Sequence, residues 1–273
     1  MFLVFGVILQ LVSLAVCQTV YLAGDSTMAK GGGGSGTDGW GVSLPQYLNI
    51  PVVNMAVGGE SARSYTNNGR FNTLINSVKG GDFVIIEFGH NDAHANPDNG
   101  KQDAVGDGYD ITATVTDAAG NQILIHSFAY YIENAINSIK AKGATAIISS
   151  VTPDNIWTGN TVGTGGRFVD YAQSIGRNES ITYVNHNAYV GQAYDKLGQA
   201  TVNTFYPNDH LHTSPAGAQV VAQAFVRGLL CTKTSTLIPH VNSAGQAVPS
   251  EFQHFLPKRE HLISFSDHPD GCL

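Results

Sequence analysis

With 273 residues, 42% of them hydrophobic and only 13% charged, the chain is apolar and long enough for one α/β domain with a sizeable core, which excludes intrinsic disorder. The net charge of −7 comes from 14 basic and 21 acidic residues with no basic patch, which sets aside nucleic acid and polyphosphate as partners. A modestly acidic surface still admits an anionic substrate, because a few local arginines suffice to bind one.

Met1 to Cys17 is apolar from Phe2 to Leu9 and from Leu11 to Val16 and carries no charge. It is short for a membrane span. Small residues around Ala15-Val16-Cys17 suit a signal-peptidase cut, so residues 1–17 read as a signal peptide of a secreted, extracellular protein with no membrane partner. The uncharged start departs from the usual basic one. Cys231 and Cys272 remain after the cut, an even count for an oxidising compartment. Their pairing would tie an extension at 233–273 back to the domain at 18–232, worth about 4 kcal/mol on the chain-entropy model. Asn178-Glu179-Ser180 is a glycosylation sequon suited to a surface turn.

Val20-Tyr21-Leu22-Ala23-Gly24 predicts a short buried strand, and Ser26 stands where the chain leaves the sheet. At the end of a central strand a hydroxyl faces the crevice where α/β proteins bind ligands. Such a serine is inert without a base and an orienting acid. Asn208-Asp209-His210-Leu211-His212 near the other end offers both, with His210 and His212 as competing bases. Gly-Asp-Ser alone is weak, since small polar residues after a strand usually make an ordinary turn. Gly31, Gly33 and Gly36 match a dinucleotide-binding spacing only formally. They begin well after the strand, open no helix and precede no lysine, so they predict a flexible loop flanking the site.

Gly41 to Leu48 suggests a short helix or turn, and Pro51 to Met55 a second strand. The Gly58-Gly59 pair that follows would let the backbone approach a ligand and present an N–H, although taken alone it reads first as an ordinary strand-to-helix turn. Asp82 to Phe88 is the clearest strand, β-branched and aromatic throughout, as expected for a central strand buried on both faces. Asn91 then offers an amide to a developing oxyanion, or a helix cap. Asn96 to Gln122 is polar and long for a loop, which predicts a rim or lid. Helical spacing covers His126 to Lys142, and Ala144 to Ser150 is a strand. Pro153 to Gly166 is irregular, with Trp157 available to stack on a sugar or to pack. Phe168 to Arg177 is helical, Ile181 to Val184 a strand, Ala188 to Leu197 a helix, and Ala216 to Leu230 a final helix started by Pro215. About five strands alternating with helices predict a three-layer α/β/α fold, a flavodoxin-like doubly wound parallel sheet.

Gly24-Asp25-Ser26, the glycine after the second strand, Gly89-His90-Asn91-Asp92 and Asp209-His210-Leu211-His212 occur in the order of the four blocks of the SGNH (GDSL-like) hydrolases. Within that superfamily the chain resembles the rhamnogalacturonan acetylesterases. Tyr21 to Lys30, Ser61-Ala62-Arg63-Ser64-Tyr65, Glu87 to Asp92 and His212-Thr213-Ser214-Pro215-Ala216-Gly217-Ala218 carry that likeness, which runs from Val20 to Cys231. The resemblance implies Ser26 as nucleophile, His212 as base and Asp209 as its orienting acid. It also implies an oxyanion hole from the N–H groups of Ser26 and Gly59 and the amide of Asn91, with Gly58 as the neighbouring alternative.

An acetylated polysaccharide is the implied substrate, with no cofactor and no metal, and the expected state is a monomer. Arg63 and Arg70 are candidate contacts for a galacturonate carboxylate, with a structural salt bridge the competing reading for each. The 233–271 extension looks longer than the family's tail. Its His254, His261 and His268 recur every seven residues, a pattern more often solvent-exposed than metal-ligating.

Overall fold

The computed structural model describes residues 18–249 and Cys272. Residues 1–17, expected to be a signal peptide, and His254, His261 and His268 lie outside the described residues.

Five strands form one wholly parallel sheet: β1 (Val20–Gly24), β2 (Val52–Asn54), β3 (Phe83–Glu87), and two later strands at Thr145–Ser149 and Thr182–Val184. Between them comes an antiparallel hairpin of β4 (Thr112–Thr116) and β5 (Gln122–His126). The next sheet strand is therefore β6 (Thr145–Ser149). A two-residue ribbon of β7 (Trp157–Thr158) and β8 (Thr161–Val162) follows, and β9 (Thr182–Val184) ends the series. The sheet order β2-β1-β3-β6-β9 is the doubly wound order expected of a flavodoxin-like fold. The chain reverses direction of winding between β1 and β3, so their carboxyl ends flank the crevice where such folds bind ligands.

Strand periodicity explains the two cores. Val20 and Leu22 of β1 and Phe83 and Ile85 of β3 face one layer; Ala23, Val84 and Ile86 face the other. Both layers are covered, which is why β3 carries an unbroken apolar run rather than an alternating one. The second layer is closed by α1 (Ala62–Asn67), α2 (Arg70–Ser77), α3 (Phe128–Ala141) and α4 (Arg167–Asn178). The first is closed by Trp40, Leu44, α5 (His186–Leu197), the short α6 (Gln199–Asn203) and α7 (Pro215–Cys231). Leu22, Ile85 and Phe225 are fully buried, each worth about 2 kcal/mol of transfer free energy.

Local chemistry sets the helix ends. Ser127 caps α3 through the Tyr130 N–H, and Ser214 caps α7 with Pro215 in its first turn. Cys231 and Cys272 form a disulfide at the end of α7. Asn178 is exposed at the last position of α4.

The structure changes two expectations of irregularity. The polar stretch before α3 is not wholly a rim loop, because Thr112 to Thr116 pairs with Gln122 to His126. Its alternation of Thr with Ala113 and Val115, turned at Asp117 to Gly120, is a strand pattern with one solvated face. Trp157 packs half-buried against the first core layer, and its Nε1 donates to Asn155 Oδ1 at 2.6 Å, so packing is its role here.

Candidate active site

The turn after β1 is built by Asp25. Its Oδ1 accepts from the Thr27 N–H at 2.9 Å and the Thr27 hydroxyl at 2.8 Å, an Asx-type turn that holds Ser26 at the strand end. Burial pushes the Asp25 carboxyl up in pKa, against the hydrogen bonds from Thr27. Ser26 is 5% exposed.

The turn before α7 places the base. His212 Nε2 lies 2.9 Å from Ser26 Oγ, and His212 Nδ1 lies 2.6 Å from Asp209 Oδ2. Asp209 Oδ1 accepts from the backbone N–H groups of Leu211 at 2.8 Å and His212 at 2.7 Å. Partial burial pushes the Asp209 carboxyl up, but the hydrogen bonds from His212 and Leu211 outweigh it and hold the group below the usual carboxylate range. With Nδ1 donating to an anion, Nε2 is the lone-pair nitrogen and accepts from the Ser26 hydroxyl. His210 is exposed, and among the described residues only its carbonyl is engaged, by the Asn155 N–H at 2.8 Å. The geometry therefore selects His212 over His210.

Three donors face no partner. Among the described residues, the N–H groups of Ser26, Gly58 and Gly59 donate no hydrogen bond. Asn91 Nδ2 gives one hydrogen to the Glu60 carbonyl at 3.0 Å and keeps the other. Val57 N–H donates to the Gly24 carbonyl at 3.0 Å, which brings the Gly58-Gly59 turn alongside the Ser26 turn.

The glycine loop at 31–36 is a wall of this site. A Cβ on Gly32 would fall 2.1 Å from the Ser26 carbonyl oxygen, and one on Gly33 would fall 2.2 Å from His212 Cγ. Gly58 in turn packs against the Gly32 carbonyl. Hydrogen bonds from Asn208 Nδ2 to the Ser35 carbonyl (3.0 Å) and from Asp38 N–H to the Thr213 carbonyl (2.9 Å) tie this loop to the histidine turn.

The pattern of the GDSL-like lipase/acylhydrolase family matches residues 20–225, the span that contains Ser26, Gly59, Asn91, Asp209 and His212. The chain belongs to this family. Within it the chain is 44% identical, over 226 residues, to the rhamnogalacturonan acetylesterase of Emericella nidulans, covering 82% of this chain and 89% of that one. A Bacillus subtilis protein named "Probable rhamnogalacturonan acetylesterase YesY" is 24% identical over 220 residues, 77% of this chain and 91% of its own. The crystal structure of Bacillus subtilis YxiM superimposes with a TM-score of 0.65 at 24% identity and covers 81% of this chain. The chain spans 58% of that protein's length, and the likeness is one of fold. Family membership makes the chain a carboxylic ester hydrolase of the rhamnogalacturonan acetylesterase group.

Arg63 and Arg70 of this GDSL-like hydrolase are each engaged in a salt bridge. Arg63 is buried, with Nη1 and Nη2 bound to Asp98 at 2.9 and 3.0 Å and Nη1 also donating to the Gln102 carbonyl. Buried and committed to Asp98, its guanidinium is not presented to a substrate carboxylate. Arg70 bonds Glu60 through Nε at 2.9 Å, with its side chain 44% exposed. Sequence reasoning left the salt-bridge reading open for both, and the structure shows a salt bridge at each.

It also missed two buried polar groups behind the site. Glu87 accepts from Trp40 Nε1 (2.8 Å) and from the Ser149 hydroxyl and lies 2.7 Å from His186 Nδ1, while His186 Nε2 donates to the Val221 carbonyl (2.9 Å). A glutamate at the end of an apolar strand was the available signal, because a buried carboxylate requires partners. Asp92 and Asp103 are both buried, and among the described residues Asp92 Oδ2 and both Asp103 oxygens meet no hydrogen-bond donor. Burial pushes Asp103 up to about 10, reinforced by the Asp92 charge, and pushes Asp92 up to about 7 against the Ala62 N–H bond. The pair therefore shares a proton at neutral pH.

A cavity of about 370 Å³ adjoins the site through Gly89 and His90 and is lined by Thr152, Asp154, Ile156 and Phe168 among others. His90 Nε2 meets the Thr152 hydroxyl at 3.1 Å, and its Nδ1 lies 3.6 Å from Asp154. This is a mixed polar and apolar surface of a size suited to a sugar ring. Among the described residues, no cluster of three or more His, Cys, Asp or Glu is placed to hold a metal ion.

Proposed function

We propose that the chain is a secreted, monomeric serine esterase that removes acetyl groups from rhamnogalacturonan through an acyl-enzyme. The observation that carries this reading is the unbroken relay from Ser26 Oγ to His212 Nε2 and from His212 Nδ1 to Asp209, at 2.9 and 2.6 Å. The likeness to the acetylesterase of Emericella nidulans supplies the substrate class. The apolar, uncharged Met1 to Cys17, the disulfide and the exposed Asn178, open to glycosylation, favour secretion.

His212 takes the hydroxyl proton as Ser26 Oγ attacks the acetyl carbonyl, and Asp209 stabilises the resulting imidazolium. The oxyanion accepts from the N–H groups of Ser26 and Gly59 and from the free hydrogen of Asn91 Nδ2, each donor typically worth about 3–4 kcal/mol in the transition state. The C–O bond to the sugar breaks, and His212 returns the proton to the leaving hydroxyl. A water molecule, deprotonated by His212 in the same way, then releases acetate and regenerates Ser26. Nucleophile, base and oxyanion donors all come from the chain, so the step calls on no metal or organic cofactor.

The test is acetate release from acetylated rhamnogalacturonan and, in parallel, acetylated xylan, using wild type and Ser26→Ala. Release from the pectic polymer that vanishes in Ser26→Ala is the expected result. Preference for xylan would keep the mechanism and discard the substrate, and no Ser26-dependent release from either would discard both.

A further inference from the structure

We propose that Lys101 is the residue that recognises a uronic acid in the substrate, its ammonium receiving a galacturonate carboxylate beside the oxyanion hole. This deepens the rhamnogalacturonan reading and rests on it. Lys101 belongs to the segment between β3 and β4, and its side chain reaches back across the site: a methyl placed on Gly59 would lie 3.6 Å from Nζ. Gly59 is the glycine whose N–H is assigned to the oxyanion, so the ammonium stands within about one sugar residue of the reacting carbonyl.

The charges around Lys101 leave it available. Asp98 is neutralised by the bidentate Arg63, and Glu60 is engaged by Arg70. Asp92 and Asp103 hold a proton between them at neutral pH. Among the described residues, no carboxylate lies within ion-pair distance of Lys101 Nζ. A partly buried lysine that has no counter-ion among the described residues, in a chain of net charge −7, is a local positive site on an otherwise acidic protein.

The backbone that carries it is held rigidly. The Lys101 N–H donates to Asn99 Oδ1 at 3.1 Å. The next residue, Gln102, is buried, bonds Ala95, Asp98 and His94 through its side chain, and accepts from Arg63 through its carbonyl. Asp103 N–H then bonds the Asp92 carbonyl at 3.1 Å. Arg63 and Asp98 thus act as positioning residues that fix the segment from which Lys101 projects. An ammonium on a fixed backbone loses less freedom on binding an anion than one on a mobile loop.

The test compares kcat/KM for acetylated rhamnogalacturonan with that for the same polymer after its galacturonate carboxyls are reduced to alcohols. Wild type should lose roughly tenfold on reduction of the polymer, as expected for a charge-assisted contact. Lys101→Met should start about tenfold low and differ less than twofold between the two polymers, and Lys101→Arg should recover most of the discrimination. Thermal unfolding of each variant checks that the fold is retained.

The inference is overturned if wild type is indifferent to reduction, if Lys101→Met keeps the wild-type ratio, or if that variant loses equally on both polymers. Wild type that releases no acetate from the unreduced polymer sinks the substrate reading and this inference together. That outcome shows in the wild-type data before any variant is assayed.

Discussion

Gly33→Ala isolates the contact between the glycine loop and the catalytic histidine. The new Cβ would lie 2.2 Å from His212 Cγ, 2.3 Å from His212 Cβ and 2.7 Å from Cδ2. Carbon atoms settle at about 3.5–4.0 Å, so ring and loop must part by more than about 1 Å. The loop cannot yield freely, since Gly33 N–H bonds the Thr37 hydroxyl at 3.0 Å and that hydroxyl bonds the Gly34 carbonyl at 2.7 Å. If the ring yields, the 2.9 Å contact of Nε2 with Ser26 Oγ stretches beyond hydrogen-bond reach. A misplacement of about 1 Å costs on the order of 10²-fold in rate. Initial rates on p-nitrophenyl acetate should therefore fall about a hundredfold, while overpacking at a partly exposed loop lowers stability by about 1 kcal/mol. Gly34→Ala is the control. Gly34 has φ +92° with nothing within 4 Å of its Cβ position, so this change strains the backbone by about 1 kcal/mol without touching His212. Gly33→Ala within threefold of wild type, or equal losses in both variants, would refute the steric reasoning.

Asp209→Asn should lower kcat by about 10²–10⁴-fold, because an amide no longer fixes the tautomer of His212 or stabilises its cation. Asp209 sits below the ordinary carboxylate range when folded, so its contribution to stability is complete above the unfolded value and lost as pH falls through the lower folded one. The stability gap between wild type and Asp209→Asn should accordingly narrow below about pH 4 in acid titration. Asp92 and Asp103 work in the opposite direction: their folded values are raised, the folded state holds the extra proton, and stability declines as pH rises above the unfolded carboxylate value. Asp103→Asn should flatten the alkaline fall in Tm between pH 7 and 10, and an unchanged slope would sink the shared-proton assignment. Arg63→Met leaves Asp98 buried and unpaired and should cost about 3–5 kcal/mol in denaturant unfolding, most of it recovered in Arg63→Met/Asp98→Asn. Additive losses in the double variant would contradict the pairing.

Local pattern was enough wherever one element's own chemistry decided the outcome. The β-branched run of Phe83 to Glu87 could only be a strand buried on both faces, and Pro215 marks the start of α7. The hairpin of β4 and β5 was obscured because its outward threonines and glycine-containing turn share the composition of a loop. Asp209 and His212, three residues apart, announce their pairing within one turn.

The order of Ser26, Gly59, Asn91, Asp209 and His212 along the chain, the alternation of strands and helices, and the two cysteines after residue 17 were determined by the sequence itself. Tertiary structure decided which partners those groups meet. Ser26 and His212 are 186 residues apart and Glu87 and His186 are 99 apart, and parallel crossovers bring each pair together at the sheet's carboxyl ends. The same packing assigned Arg63 to Asp98, pressed Gly33 against the imidazole and, among the described residues, left Lys101 without a counter-ion. Charge and steric contact depend on distance in space, which residue spacing along a chain encodes only within a single turn or strand pair.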